Sequence, residues 1–248
     1  MIEAARAGSS RAGNPLSAVL THAHGDHANG AGLVSRTGGE VIATETTAED
    51  VSTGPHTYPS MFNFSDWGEI TPPASIRTIN EPTPLDLGNI TVEIHPVPAH
   101  AHTGGDIVVW IPTDGVLFTG DLLFHGVTPL GLHGSITGWL DSLTWLESFG
   151  ARHIVPGHGP LATPDSGLVA TVRHYLRWIL DAVSGPAEPD FAQLAEEATQ
   201  RWSSWLDAER HIVNIRAAHA EVREQPFDTT AAVNDMLAVA GGRIDLHI

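Results

Sequence analysis

The chain has 248 residues, of which 42% are hydrophobic, enough for one large domain or for a domain with an extension. Cysteine and lysine are both absent, since the 12 basic residues are all arginine, and this excludes disulfides, thiolate metal ligands and Schiff-base chemistry. A net charge of −17 argues against binding to nucleic acids or anionic membranes, so the expected partner is a small-molecule substrate. With no apolar stretch typical of a membrane span or a signal peptide, we expect a cytoplasmic location.

The first 119 residues predict a mixture of helices and strands that becomes a run of strands. Helices are expected at 28–36 and 46–51. The segment 55–73 is irregular and rich in aromatic residues, which indicates a long loop that either packs on the core or contacts the substrate. Asp114-Gly115 predicts a hairpin. Short β-branched runs bounded by turn residues predict strands at 17–21, 40–44, 76–79, 90–97, 107–111 and 116–119.

Beyond Asp121 the hydrophobic residues recur at helical spacing instead. A helix over 136–149 with Gly150 at its end precedes a short strand at 153–155. We therefore predict an α/β domain over residues 1–160 and a helical extension over residues 161–248 that packs on it. The helices expected in the extension begin near 165 and then span 190–206, 208–224 and 229–239.

The most informative stretch is His-Ala-His-Gly-Asp-His at 22–27, directly after the first predicted strand. Four strong metal ligands, namely His22, His24, Asp26 and His27, fall within six residues, and the residues between them are small and non-ligating. Imidazole and carboxylate groups suit zinc and neighbouring divalent ions. We interpret this stretch as a metal-binding loop rather than a histidine-rich surface tract.

Three further ligand candidates come after predicted strands. His102, Asp121 and His158 each follow shortly after a β-strand pattern. Loops at neighbouring strand ends bring such side chains to one rim of a sheet. Each candidate also has a glycine close by, which permits tight turns and close backbone approach. The sequence thus places these candidates at the same edge as the first cluster.

Taken in order, His-x-His-x-Asp-His, His-Thr-x-Gly, Phe-Thr-Gly-Asp and Pro-Gly-His-Gly resemble the motifs of the metallo-β-lactamase-fold hydrolase superfamily. The resemblance covers residues 17–160. It implies an α/β fold, an αββα sandwich of two mixed sheets with outer helices, and two divalent metal ions, zinc above all, at the sandwich edge. By that resemblance the first metal would be held by His22, His24 and His102, the second by Asp26, His27 and His158, and Asp121 would bridge both.

Six terminal ligands and one bridge give each metal four protein contacts and leave room for a shared water. A pair of divalent metals lowers the pKa of such a water, which then supplies hydroxide near neutral pH. The hydroxide would attack an electrophilic carbonyl or phosphorus, while Asp26, as the catalytic residue, would orient it or carry its proton. These expectations describe a zinc-dependent hydrolase of a small ester, thioester, lactone or related substrate.

Three more histidines lie near the predicted ligands. His100 competes with His102 for the third-histidine position, and the His-Thr-x-Gly context favours His102. His125 and His133 follow Asp121 closely, and we predict that they bind substrate, although a hydrogen-bonded loop histidine is at least as common.

The aspartate at position 121 separates this chain from one branch of the superfamily. β-Lactamases proper resemble one another in having cysteine or serine there, so antibiotic hydrolysis is disfavoured. Two alternatives stay open. One is an iron-dependent oxygenase or redox enzyme of the same fold that uses a subset of the ligands, and the other is a truncated, catalytically silent metal-binding protein.

The segment before the first cluster is short. Only 21 residues precede His22, whereas superfamily members usually carry several strands there. We therefore expect the first sheet to lack its initial N-terminal strands. An exposed sheet edge favours pairing with another chain, so a homodimer is a possible arrangement.

Overall fold

The computed structural model describes residues 15–246, and residues 1–14 and 247–248 lie outside the described part. The prediction that the first sheet lacks its initial strands concerns the chain before residue 15 and therefore falls outside the described residues. Within the described part, eight strands form two sheets. The strands are β1 (Ala18–Val19), β2 (Val41–Ala43), β3 (Arg77–Thr78), β4 (Thr83–Asp86), β5 (Thr91–Pro96), β6 (Ile107–Ile111), β7 (Val116–Phe124) and β8 (His153–His158).

Helices lie between and after these strands, and those predicted for the extension are present. None of the helices between residues 15 and 246 is long and apolar enough to cross a membrane. The helices are α1 (Gly25–Ala28), α2 (Ala31–Arg36), α3 (Glu45–Thr53), α4 (Ile136–Glu147), α5 (Leu168–Val183), α6 (Phe191–Arg201), α7 (Arg210–Val222) and α8 (Thr229–Ala240).

The smaller sheet has the order β1-β2-β3, and its strands are parallel. Parallel strands need helical crossovers that cover a sheet face. Ala28 of α1, Ala31 of α2 and Val51 of α3 share a buried cluster with Val41 and Ala43 of β2. The small alanine side chains let α1 and α2 pack closely on the sheet.

The larger sheet has the order β4-β5-β6-β7-β8. The pairs β4–β5, β5–β6 and β6–β7 are antiparallel, whereas the pair β7–β8 is parallel, so the sheet is mixed. The hairpin predicted at Asp114-Gly115 joins β6 to β7, and Gly115 adopts a positive φ of 63° in the turn. Strand β4 was not predicted, because Pro84 is a strand-breaking signal; β4 lies at the sheet edge, where proline is tolerated.

The two sheets pack face to face through isoleucines. Ile42 of β2, Ile94 of β5 and Ile107 of β6 form a fully buried cluster between them. Val108 follows Ile107 and points to the opposite face, where it joins the main core with residues of α4, α5 and α7. The layers therefore run helices, sheet, sheet, helices, which is the predicted αββα sandwich.

The extension is tied to the sandwich by a partly buried polar contact. Glu221 of α7 lies at the N-terminus of α4, where its carboxylate accepts hydrogen bonds from the amides of Ile136 (2.7 Å) and Thr137 (3.0 Å). A carboxylate at a helix N-terminus satisfies free amides and complements the helix dipole. Helix α7 thus fixes the start of α4.

Candidate metal centre

The 22–27 motif forms the turn from β1 into α1. His24 occupies the N-cap of α1, and its carbonyl oxygen accepts a hydrogen bond of 2.9 Å from the amide of Ala28. Ala23 is buried, and a Cβ at Gly25 would lie 2.1 Å from the carbonyl oxygen of His56. The two small residues therefore allow the tight turn that presents the ligand side chains on one side.

Three histidines and one aspartate form the first group of candidate ligands. Nε2 of His22 and Nε2 of His102 lie 3.1 Å and 3.0 Å from Nδ1 of His24. Oδ2 of Asp121 lies 3.4 Å from Nε2 of His102 and 3.7 Å from Nε2 of His22. One ligand atom from each of these residues lies within 4.8 Å of all the others, so the group could hold one metal ion.

Asp26, His27 and His158 form the second group. Oδ2 of Asp26 lies 3.4 Å from Nε2 of His27 and 3.2 Å from Nε2 of His158. Asp121 contacts this group as well, because its Oδ1 lies 3.1 Å from His27 and its Oδ2 lies 3.4 Å from His158. The structure thus brings together all seven predicted ligands and places Asp121 between the two groups.

Asp121 lies inside β7 rather than after its end. The strand was predicted to stop at Thr119 but continues to Phe124, and its pairing with β8 shifts register around Gly120. Gly120 has a φ of 51°, a backbone conformation that favours glycine. A Cβ at Gly157 of β8 would lie 1.9 Å from Oδ1 of Asp121. The irregular strand pair therefore supplies the space that the central carboxylate occupies.

The donor set fits divalent metal ions. Oδ1 of Asp121 is buried and accepts no hydrogen bond of acceptable geometry from any described residue, although Nε2 of His27 is 3.1 Å away. Nδ1 of His24 faces the Nε2 atoms of His22 and His102, so three ring nitrogens converge there. Such a set of imidazoles and a buried carboxylate could hold a cation.

The two groups differ in their electrostatics. Burial lowers the pKa of His22 to about 3 and that of His24 to about 4, so both imidazoles are neutral, as metal ligation requires. Burial also disfavours the charged form of His27 and His158. The close contacts of both rings with the carboxylates of Asp121 and Asp26 outweigh it, however, and raise the pKa of His27 to about 10 and that of His158 to about 9. The carboxylates of Asp26 and Asp121 thus favour a positive charge in the second group.

A buried carboxylate that was not predicted orders the loop of His102. Asp106 accepts hydrogen bonds of 2.7 Å from both the amide and the hydroxyl of Thr103. Thr44 and Thr47 donate to the carbonyl oxygen of Gly105 in the same loop. Asp106 follows the His-Thr-x-Gly motif, and its spacing from Thr103 was the available signal.

The other three histidines occupy different places. His100 lies outside both ligand groups, and its Nε2 contacts the carbonyl oxygen of His133 at 2.9 Å. Nδ1 of His133 lies 2.9 Å from Nε2 of His24. Nδ1 of His125 contacts the carbonyl oxygen of Pro160 instead. Substrate binding by His125 and His133 stays a prediction, with His133 at the metal centre and His125 beside it.

Two cavities adjoin the ligands. The larger, of about 360 Å³, is bounded by Asp26, Asp121 and His158 and extends away from them between the loop 55–73, called the aromatic loop below, and α7. The smaller, of about 220 Å³, is bounded by Asp50 and Thr103. Their shared lining residues are His24, His56, Tyr58 and His133. The ligands are thus accessible from a cavity of a size that suits a small molecule.

The sequence from residue 9 to residue 158 matches the model of the metallo-beta-lactamase superfamily, so the chain belongs to that superfamily. The match includes all seven candidate ligands and ends before the helical extension. No curated protein matches the sequence significantly.

Solved structures show the same fold. A metallo-beta-lactamase from Pontibacter korlensis is 23% identical, with a TM-score of 0.53 over 65% of this chain and 68% of that chain. The DIM-1 metallo-beta-lactamase is 20% identical, with a TM-score of 0.51 over 65% of this chain and 69% of that chain. At these identities the likeness establishes the fold alone.

Proposed function

We propose that the protein is a zinc-dependent hydrolase with a dinuclear site that acts on a small ester, thioester or lactone. The observation that carries the proposal is the position of Asp121, whose two oxygens contact both ligand groups. Membership of a metallo-hydrolase superfamily supports the reaction class. The strongly negative net charge supports a small-molecule substrate rather than a nucleic acid.

His22, His24 and His102 would hold one ion, Asp26, His27 and His158 the other, and Asp121 would contact both. When bound, two divalent ions supply Lewis acidity to a substrate oxygen and lower the pKa of a water. The carboxylate of Asp121 would remain ionised at this site. Burial raises its pKa, but the contacts with His158 and His27 have the larger effect and hold the pKa of Asp121 well below its usual range.

Asp26 is the residue best placed to handle a proton. Its side chain is 57% exposed, whereas that of Asp121 is 5% exposed, and it borders the larger cavity. An exposed carboxylate on the cavity side would orient the attacking water and accept its proton at a carboxylate oxygen. His133 would fix the ring of His24 through the contact between Nδ1 of His133 and Nε2 of His24, which leaves Nδ1 of His24 free as a ligand atom.

Metal analysis combined with a substrate panel tests the proposal. The purified protein is loaded with zinc, its metal content is measured by mass spectrometry, and esters, thioesters, lactones and phosphodiesters are assayed. We expect two zinc ions per chain and hydrolysis that a chelator abolishes and added zinc restores. One iron per chain without hydrolysis would favour the oxygenase alternative. Bound metal without turnover of any panel substrate would favour a catalytically silent metal-binding protein.

A further inference from the structure

The larger cavity has one polar end and an otherwise apolar wall. Its polar end is the metal centre. Away from that end the wall comes from the aromatic loop between α3 and β3, from the segment after β7, and from the end of the chain that the structure describes. The apolar side chains of this wall include Met61, Phe62, Trp67, Leu130, Leu132 and Leu246.

Away from the metal centre, the cavity wall contains little that could bind an anion. Arg210 is the only arginine among the described residues that line it, and the chain has no lysine. Nη2 of Arg210 pairs with Oδ2 of Asp207 at 2.8 Å, and its Nη1 donates to the carbonyl oxygen of Thr128 at 3.2 Å. The charge of Arg210 is therefore already compensated. A carboxylate on the substrate would lose its hydration here without gaining a free cationic partner.

The aromatic loop is held in place by the end of the described chain. Phe62 forms a parallel bridge with Ile244. The amide of Ile244 donates to the carbonyl oxygen of Met61 at 2.9 Å, and the amide of Asn63 donates to the carbonyl oxygen of Ile244 at 2.8 Å. These backbone bonds fix the loop and its apolar side chains without using the side chains themselves.

Helix α7 holds the segment after β7 through Asn214. The side-chain amide of Asn214 donates to the carbonyl oxygen of Pro129 (2.8 Å) and to the hydroxyl of Tyr175 (2.7 Å), and Oδ1 of Asn214 accepts from the amide of Gly131 (2.7 Å). Leu130 lies between these anchored residues and Leu132 follows them. The wall is thus built and fixed before a ligand arrives, which favours binding.

We propose that this cavity takes an uncharged, apolar acyl group, so that the substrates are neutral esters, thioesters or lactones with an aliphatic or aromatic acyl chain. The inference rests on the proposed hydrolase function, because the metal centre forms the polar end of the cavity. Its volume of about 360 Å³ lies near the lower limit for ligand pockets, roughly 300–1,000 Å³. A short or medium-length acyl chain is therefore expected rather than a long one.

A matched series of esters tests the inference on the zinc-loaded protein. The 4-nitrophenyl esters of acetic, butyric and hexanoic acid vary the chain, and the 4-nitrophenyl monoester of adipic acid adds a terminal carboxylate at the same length. We expect kcat/KM to rise by about fourfold for each methylene group that is buried. The adipate ester should react about 100-fold more slowly than the hexanoate. Equal rates for the hexanoate and adipate esters would overturn the inference.

The variant Phe62→Arg tests the same point from the protein side. It adds a free cation to the apolar wall, and the loop backbone that holds position 62 does not depend on the side chain. We expect the ratio of adipate to hexanoate hydrolysis to rise at least tenfold. The control Leu161→Arg adds the same charge at a position that is 71% exposed and does not line the cavity. A similar rise in both variants would contradict a role for the cavity.

A binding measurement separates this inference from the proposed function. Octan-2-one is uncharged and has no bond that the protein could hydrolyse, and calorimetry measures its binding to the zinc-loaded chain. If the ketone binds, with weaker binding to Phe62→Arg, while no ester is hydrolysed, the apolar site stands and the hydrolase proposal fails. If esters are hydrolysed without chain-length preference and the ketone does not bind, the hydrolase proposal stands and the inference fails.

Discussion

The metal centre and the cavity beside it are built in different ways. All seven candidate ligands lie between His22 and His158, in short motifs at or near the ends of strands. The cavity wall instead combines a loop before β3, the segment after β7 and parts of the helical extension. Only the first of these two regions lies wholly inside the match to the superfamily. The comparison shows that reactive groups can be local in sequence while the groups that select a substrate are distant from one another.

The largest expected effect is on the metal centre. Asp121→Ala removes the carboxylate that both ligand groups share, so the metal content should fall from two ions towards one and turnover should fall by about 100-fold or more. Mass spectrometry and initial rates measure the two quantities. Asp114→Ala, in the exposed β6–β7 turn, is the control. Unchanged stoichiometry and rate in Asp121→Ala would remove Asp121 from the bridging role.

The next effect separates the cavity from the metal centre. Asn214→Leu leaves the carbonyl of Pro129 and the amide of Gly131 without their buried partner and removes one of the two partners of the Tyr175 hydroxyl, which should lower the free energy of unfolding by about 2–4 kcal/mol. Since the apolar wall loosens while the ligands stay, KM for the hexanoate ester should rise more than kcat falls. Urea denaturation and steady-state kinetics measure these changes. A stability loss with unchanged KM would limit Asn214 to a structural role.

The extension should also respond to acid independently of the metal ligands. His211 is fully buried, its Nδ1 accepts a hydrogen bond from the hydroxyl of Tyr175, and burial lowers its pKa to about 4. The unfolded chain binds this proton near pH 6.5, so the associated stability is complete above that pH and is lost as the pH falls towards 4. The loss at pH 4.5 should be roughly 2 kcal/mol.

Comparison with His211→Gln isolates this contribution from the many other groups that titrate in the same range. The difference in unfolding free energy between pH 7 and pH 4.5 should be smaller in the variant than in the parent chain. Equal differences in the two proteins would show that His211 is not the group responsible.

The smallest effect concerns the contact between α7 and α4. Glu221→Gln keeps the size of the side chain but removes its charge from the N-terminus of α4, which should cost about 1 kcal/mol. Chemical denaturation measures the change. Because Glu221 does not line the cavity, the ester selectivity should be that of the parent chain. An altered chain-length preference would show that the two regions are more closely coupled than the contacts indicate.

The clustering of the candidate ligands could be predicted because each motif contains both a candidate ligand and small residues beside it. Gly25 stands between His24 and Asp26, and Gly157 precedes His158, so the spacing within these motifs carries part of the geometry. The irregularity of β7 could not be predicted, because the register shift at Gly120 depends on pairing with β8. Strand β4 was missed because Pro84 obscured it.

The cavity was beyond prediction for a related reason. Loop 55–73 was correctly expected to be irregular, and its aromatic residues were noted, but their position depends on backbone hydrogen bonds with Ile244 near the other end of the chain. Neither Asn214 nor Arg210 belongs to a motif. Their roles arise from tertiary contacts between the extension and the sandwich, and no local pattern encodes such contacts.

The bridge between Phe62 and Ile244 has a consequence for the order of synthesis. A ribosome releases the chain from its N-terminus, and domains generally begin to fold in that order. Every candidate ligand has been made once His158 is added, yet the strand partner of the aromatic loop follows only at Ile244. The growing protein therefore contains all of its candidate ligands well before it contains the strand partner that holds the aromatic loop in place.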